Sequence, residues 1–150
     1  MKERLDNVDV KILNMLQENA RVPFSRIADE LGVNEATVRY RVKQLMDKGV
    51  ITKFMALLDP LKIGFSTTGI MMIKTNPGMF EEAAKQISEL AETYHAFQIT
   101  GEFDIVAVVQ THDLRHLSEL RKEVEMIPGV RDVVVSATTR LIKIKTTFEL

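Results

Sequence analysis

The residues best suited to chemistry by type and spacing lie between Asn34 and Gln44. Wound at about 100° per residue with Val38, Val42 and Leu45 turned inward, this stretch carries Ala36, Arg39, Tyr40, Lys43 and Gln44 on its opposite side. Guanidinium and carboxamide groups pair with base edges in a major groove, as Arg39 and Gln44 are placed to do; Ala36 or the ring of Tyr40 suits a thymine methyl, and Lys43 suits a phosphate. Asn34 and the first free N–H groups of the helix suit a second phosphate, helped by the helix dipole. Thr37 joins them in the first turn, and Arg41 stands on the flank, where a phosphate or a carboxylate of the chain itself is the expected partner. The plain alternative is a solvated face with ordinary lysines and arginines.

A second group is Thr100-Gly101-Glu102-Phe103-Asp104. A tight turn with backbone N–H groups and a carboxylate offers both partners of a zwitterionic amino acid. On the residues alone, a hairpin in which glycine supplies a positive φ is the favoured reading. His112 and His116 are four apart, but Asp113 reads as a helix cap between them, so with His95 they are expected at strand ends or the surface and not at a metal. The chain has no Gly-x-Ser-x-Gly, P-loop or Gly-x-Gly-x-x-Gly, and no carboxylate pair framed by an apolar cleft. No catalytic residue, metal or cofactor is therefore expected, and the eight methionines, Met71-Met72 among them, read as core filler.

Composition bounds what these groups belong to. With no cysteine among 150 residues, disulfide frameworks, thiolate nucleophiles and cysteine zinc fingers are excluded. No apolar run approaches the roughly 18 residues of a membrane span, and Met-Lys-Glu-Arg-Leu-Asp lacks the apolar stretch of a signal peptide, so a cytoplasmic protein is expected. The net charge of −1 conceals an asymmetry: residues 1–58 hold ten Lys/Arg against eight Asp/Glu, residues 59–150 ten against thirteen. What matters for a polyanionic partner is where cations cluster, and residues 33–54 hold five against two acids.

The elements that must position these groups follow from periodicity and punctuation. Asp6 is a plausible cap for a helix with Val8, Ile12, Leu13 and Leu16 inward. Pro23 suits the start of a second helix with Ile27, Ala28 and Leu31 inward, Gly32 ends it, and Asn34 caps a third, Glu35 to Asp47, whose inward stripe is Val38, Val42, Leu45 and Met46. Ala28, Gly32 and Val38 fill the small, turn and anchor positions of a helix-turn-helix. Val50 to Leu58 reads as a strand leading away, in the manner of a winged helix, and residues 59–64, with Asp59-Pro60 and Gly64, as a linker between domains 1–58 and 65–150.

The second domain alternates between periods. An extended run Phe65–Thr75, a helix Met79–Thr93, strands Tyr94–Thr100 and Phe103–Thr111, a helix capped by Asp113 and bearing Leu114, Leu117, Leu120, Val124 and Ile127, and a strand or bent pair over Val130–Phe148 make a ferredoxin-like βαββαβ plan. The fold class expected is therefore α+β. In the first helix Phe80, Ala83, Ala84, Ile87, Leu90 and Ala91 face inward. Apolar residues on both faces of Ile105–Val109 require a cover for the sheet's second face, and a second copy of the chain supplies one.

At this point the residues resemble a known family. Leu5-Asp6, Asp9, Ile12-Leu13, Asn19-Ala20-Arg21, Ile27-Ala28, Leu31-Gly32-Val33, Thr37-Val38, Arg41-Val42, Leu45, Gly49-Val50-Ile51, Leu58-Asp59-Pro60, Gly64, Thr100-Gly101, Phe103-Asp104 and Ile127-Pro128-Gly129-Val130 resemble the Lrp/AsnC, or feast/famine, transcriptional regulators over nearly the whole chain. The resemblance implies dimers that often assemble to octamers on double-stranded DNA, and an amino-acid effector held between dimers by a pocket that includes Thr100 to Asp104, which turns the weighing there toward a ligand. It also implies a departure: where many members carry alternating threonines on the last strand, this chain has Val133-Val134-Val135, so Val133 and Val135 offer no hydroxyl. A polar ligand group left unpaired costs about 1–3 kcal/mol, so a lysine- or glutamine-like effector is disfavoured and an apolar amino acid, or none, is expected. Two other classes stay open on the residues: a small-molecule module whose N-terminal helices bind a protein, and a small enzyme on a ferredoxin-like scaffold.

Overall fold

The computed structural model describes residues 4–150, which fall into two compact units. One runs to Leu57 and includes Lys143–Leu150; the other is Leu58–Ile142. No helix among the described residues is long and apolar enough to cross a membrane.

The first unit is three helices, α1 (Asn7–Glu18), α2 (Phe24–Leu31) and α3 (Glu35–Asp47). Asp6 opens α1 by accepting from the N–H groups of Val8 at 2.9 Å and Asp9 at 2.8 Å, while the Asp9 carboxylate accepts from the Asp6 N–H at 3.3 Å. This reciprocal cap satisfies donors that a helix start leaves free. Ile12, Ile27 and Val38 are fully buried where the helices meet, with Leu13, Leu16, Ala28, Val42 and Leu45 around them. Gly32 ends α2 with φ 65° and ψ 33°, a left-handed conformation that glycine takes without strain, and the Val33 N–H closes the turn on the Ala28 carbonyl at 3.0 Å.

Two expectations for this unit are corrected. Met46 is 45% exposed, because Val42 and Leu45 already fill the inward stripe. Val50–Leu58 forms no strand: the N–H groups of Val50 and Ile51 both donate to the Leu45 carbonyl, at 2.9 and 3.0 Å, and Lys53 to Leu58 lie exposed. β-branched residues favour a strand only where a neighbouring strand completes the ladder, and here the first two N–H groups serve the end of α3 instead.

The second unit opens with a single 3-10 turn, Pro60–Ile63, capped by Asp59 and ended by Gly64 at φ 95°. There follow β1 (Thr67–Thr75), α4 (Phe80–Glu89), β2 (Thr93–Gln98), β3 (Ile105–Thr111), α5 (Leu114–Glu125) and β4 (Val130–Ala137). The strands form one antiparallel sheet in the order β2-β3-β1-β4, the ferredoxin-like arrangement. Met71, Ile73, Ile105, Ala107, Val109 and Val133 from the sheet pack against Ala83, Ile87, Leu117, Leu120 and Val124 from the helices. α5 approaches so closely at Gly69 that a β-carbon there would stand 2.5 Å from Leu117 Cδ1 and 2.9 Å from Val109 Cγ2. Glycine is required by that packing.

Three further corrections concern this unit. Ala91 and Leu114 are exposed, the former because α4 ends at Glu89 and the latter because it is the first residue of α5, beyond the reach of the core. The last strand stops at Ala137, its final ladder contact the Thr138 N–H on the Thr68 carbonyl at 2.8 Å. Leu141, Ile142 and Ile144 are more than half exposed, and Lys143–Leu150 belongs with the first unit, where the Phe148 N–H donates to Gln17 Oε1 at 2.7 Å and the Gln17 carboxamide donates to the Phe148 carbonyl at 3.2 Å.

On the sheet face away from the helices, register sets Met72 between Val106 and Val134, and Ile70 beside Val108. Of these, Ile70, Met72, Val106 and Val108 are half-buried and Val134 is exposed.

Candidate functional site

α3 presents Ala36, Arg39, Tyr40 and Lys43 to solvent, with Gln44 half-buried beside them. The turn at Gly32 and the burial of Val38, Val42 and Leu45 force this: when one side of the helix fills the core, the residues 100° to 180° away face out. Asn34 caps the helix, its Oδ1 accepting from the Thr37 N–H at 2.7 Å and the Thr37 hydroxyl at 2.8 Å. Asn34 and Thr37 thus spend these groups on each other, and any phosphate contact there falls to their remaining donors and the helix N–H groups.

Each cation of this face is held by a carboxylate of the same unit. Arg39 Nη2 donates to Glu35 at 2.6 Å, and Lys43 Nζ to Asp47 at 2.6 Å. The bond from Asp47 raises the affinity of Lys43 for its proton. Arg41, one-third exposed, reaches Asp6 at 2.5 Å and Asp9 at 3.1 Å and so ties α3 to the cap of α1. Of the two partners expected for Arg41, the structure places the intramolecular carboxylates. Asp6 is held below the usual carboxylate range by the Asp9 N–H first and by Arg41 second. Gln44 Nε2 donates to the Tyr40 hydroxyl at 2.6 Å, so these two act as one polar unit. The exposed pairs at Arg39 and Lys43 sit in high dielectric and add little to stability; the Arg41 cluster, less exposed and doubly bonded, fastens α3 to the start of α1.

In the second unit the turn from Thr100 to Asp104 joins β2 to β3. Thr100, Gly101 and Glu102 are exposed, and Gly101 has φ 122°. Asp104, read from sequence as a ligand carboxylate, faces inward: its Oδ2 accepts from the Thr75 N–H at 2.7 Å and the Thr75 hydroxyl at 3.0 Å, while its own N–H donates to the Ile73 carbonyl at 3.0 Å. It buckles the end of β1 to the loop. Glu102 takes the outward place, 3.7 Å from Lys74 Nζ, and Lys74 also lies 5.4 Å from the centre of the Phe103 ring. Lys74, Thr75 and Phe24, which lies against Arg39, escaped the sequence reading because nothing in their spacing marks them; only the strand register and the helix crossing bring them in.

Val133 and Val135 lie on the helix side of β4. Val133 is 2% exposed within the core and Val135 packs against it, so neither reaches the surface of the turn. The position of β4 facing the open side is Val134. His112 Nδ1 meets the Gly64 carbonyl at 2.8 Å and its ring stacks between Phe65 and His116, whose Nε2 meets Glu92 at 3.2 Å. Among the described residues no three His, Asp or Glu side chains are arranged to hold a metal ion.

Comparison with known proteins bears on both units. A family model described as winged helix-turn-helix DNA-binding matches residues 5–52, and one described as the Lrp/AsnC ligand binding domain matches residues 68–148. The chain is 37% identical to the HTH-type transcriptional regulator Ptr1 of Methanocaldococcus jannaschii over 93% of its length and 95% of the relative's. Among solved structures, it is 26% identical to the transcriptional regulator NMB0573 of Neisseria meningitidis, solved as an L-Met complex, with 97% of each chain covered and a TM-score of 0.90. It matches E. coli AsnC in fold, at 22% identity, 97% and 99% coverage and a TM-score of 0.91.

The Asp104 buckle has a pH signature. Its carboxyl is held below the ordinary value of 3.8, first by the Thr75 N–H and then by the Thr75 hydroxyl. A carboxyl depressed by folding adds stability that is fully present above its unfolded value and is lost as pH falls through its folded value. Urea midpoints of the second unit should therefore fall between about pH 5 and about pH 3 by more in the wild type than in Asp104→Asn. Parallel decline of the two proteins would show that this carboxylate does not hold the strand.

Proposed function

The chain belongs to the Lrp/AsnC family of DNA-binding transcriptional regulators, and from that premise we propose that α3 enters the major groove of its operator. The observation that carries this reading is the outward face of α3, where Arg39, Tyr40 and Lys43 stand exposed on a helix fixed by the Gly32 turn. Arg39, with Gln44, reads base edges, Ala36 or Tyr40 meets a thymine methyl, and Lys43, Asn34 and Thr37 serve the phosphates. Arg41 holds α3 to α1 through Asp6 and Asp9 and contributes placement. Acting on double-stranded DNA, the protein works in the cytoplasm, with the first unit, to Leu57 and with Lys143–Leu150, on the DNA and the second, Leu58–Ile142, for assembly and ligand.

Arg39→Ala should weaken operator binding by about 1–3 kcal/mol and relax preference at one base pair, whereas Lys43→Ala should weaken binding to all DNA alike and flatten its salt dependence. Titration of both variants against operator and random DNA at two salt concentrations decides it; unchanged affinity in both would remove α3 from the groove.

The open sheet face suits a second copy. Ile70, Met72, Val106, Val108 and Val134 form an apolar patch, and covering it by the same patch of a partner buries it symmetrically. Such a dimer carries two α3 helices to successive major grooves, about 34 Å apart on one side of the DNA. Val106→Asp, which leaves the helix-side core untouched, should turn the wild-type dimer or its octamer into monomer in sedimentation velocity. An undiminished assembly would place the interface elsewhere.

The exposed turn Thr100–Glu102 suits an amino-acid effector held between dimers. Lys74 and Glu102 match the carboxylate and ammonium of a zwitterion. The relative NMB0573 was solved with L-Met, and an apolar amino acid of that kind is the effector expected at this turn. In a thermal-shift screen of the twenty amino acids, an apolar one should raise the melting temperature of the wild type and lose that effect in Glu102→Gln, while lysine and glutamine leave it unmoved. A screen without any shift would leave the turn as a plain hairpin.

A further inference from the structure

Arg39 is supported from two directions and open in a third. Its guanidinium carbon lies 5.4 Å from the centre of the Phe24 ring, and its Nη2 donates to Glu35 Oε1 at 2.6 Å. The side chain nevertheless keeps 66% of its surface exposed. The two supports differ in origin. Glu35 lies one turn back on the same helix, while Phe24 is the first residue of α2 and reaches Arg39 across the turn. Phe24 is half-buried and packs against the three-helix core, which holds its ring in place.

A free arginine side chain samples many rotamers, and its fork meets a phosphate as readily as a guanine edge. Discrimination between bases requires the planar fork to arrive already aimed, because the bidentate contact tolerates little rotation. We propose that Phe24 and Glu35 are positioning residues that aim the Arg39 guanidinium at one base pair and thereby set the sequence preference there. The inference rests on the reading that Arg39 contacts a base edge. The Phe24 ring stands under the guanidinium carbon and the Glu35 carboxylate engages Nη2, while two-thirds of the side chain stays open to a partner. Glu35 has a second effect, since its charge near the helix start opposes every phosphate alike.

The test uses the full chain and an operator selected from a random DNA pool, with a panel of single base-pair substitutions. Dissociation constants are measured for wild type, Arg39→Ala, Phe24→Leu, Phe24→Tyr and Glu35→Gln, alongside melting temperatures. Arg39→Ala should lose its preference at one base pair, on the order of tenfold. Phe24→Leu and Glu35→Gln should flatten preference at that same base pair by roughly three- to tenfold and leave the other positions unchanged. Phe24→Tyr, which keeps the aromatic face, should retain it, and Glu35→Gln should bind random DNA more tightly than wild type. Preference lost in Arg39→Ala but intact in Glu35→Gln and Phe24→Leu would overturn the positioning role alone. Equal weakening of every DNA by Phe24→Leu, rescued by neither a normal melting temperature nor Phe24→Tyr, would do the same, leaving Phe24 as a packing residue. An Arg39→Ala variant that keeps every base preference would instead remove the base-reading assignment on which the proposal stands.

Discussion

The burial of Val38 and Val42 against Ile12 and Ile27 is the contact on which the outer surface of α3 depends. A helix has only one azimuth that satisfies its apolar stripe, so fixing those two valines fixes where Arg39, Tyr40 and Lys43 point. Gly32 makes the fit possible, because only a left-handed residue reverses the chain within the three positions between α2 and α3. Buried volume at this crossing therefore governs polar chemistry at a surface well outside it. A methyl group misplaced in the core rotates the arginine fork as surely as a mutation of the arginine would.

Charge is treated with similar economy across both units. The cations of α3 rest on Glu35, Asp47 and the Asp6–Asp9 pair, and Lys74 rests on Glu102. Exposed pairs of this kind add little to stability, and each carboxylate offsets the positive charge of the cation beside it.

The parts of the molecule legible in the sequence are those that a single element can specify. Caps at Asp6, Asn34 and Asp113, the stop at Gly32 and the apolar stripes of α1, α3 and α5 are local, and apart from the exposed Met46 and Leu114 each stands where its residues place it. Strand boundaries were less legible because a strand is defined by its neighbour. Val50–Leu58 and the stretch beyond Ala137 have strand-like composition and no ladder. The turn at Thr100–Asp104 was legible as a turn, but not which carboxylate faces out: Asp104 turns inward because Thr75 offers it two donors, and Thr75 is 29 residues away in sequence. Val133 and Val135 were singled out by the family resemblance, which matches positions without saying whether helices cover that face in this chain.

That last ambiguity has a physical resolution in the register of β1. Its residues alternate between buried and half-buried along the whole strand, with Gly69, Met71 and Ile73 toward the helices and Ile70 and Met72 away from them. A sheet destined for water on its second face would place charged or hydroxyl groups at those outward positions, as Lys74 and Thr68 do at the two ends of the strand. The centre instead carries Ile70 and Met72, flanked by Val106 and Val108 on β3 and by Val134 on β4. An apolar centre within a polar margin is the pattern of an interface core and rim, and it lies on the one face of the unit that its own helices leave open. The helix side of the sheet is thus committed to folding, while the opposite side is the face we propose for a second copy, and the strand ends with their connecting turn, where Lys74 and Glu102 stand, are the place we propose for a small ligand.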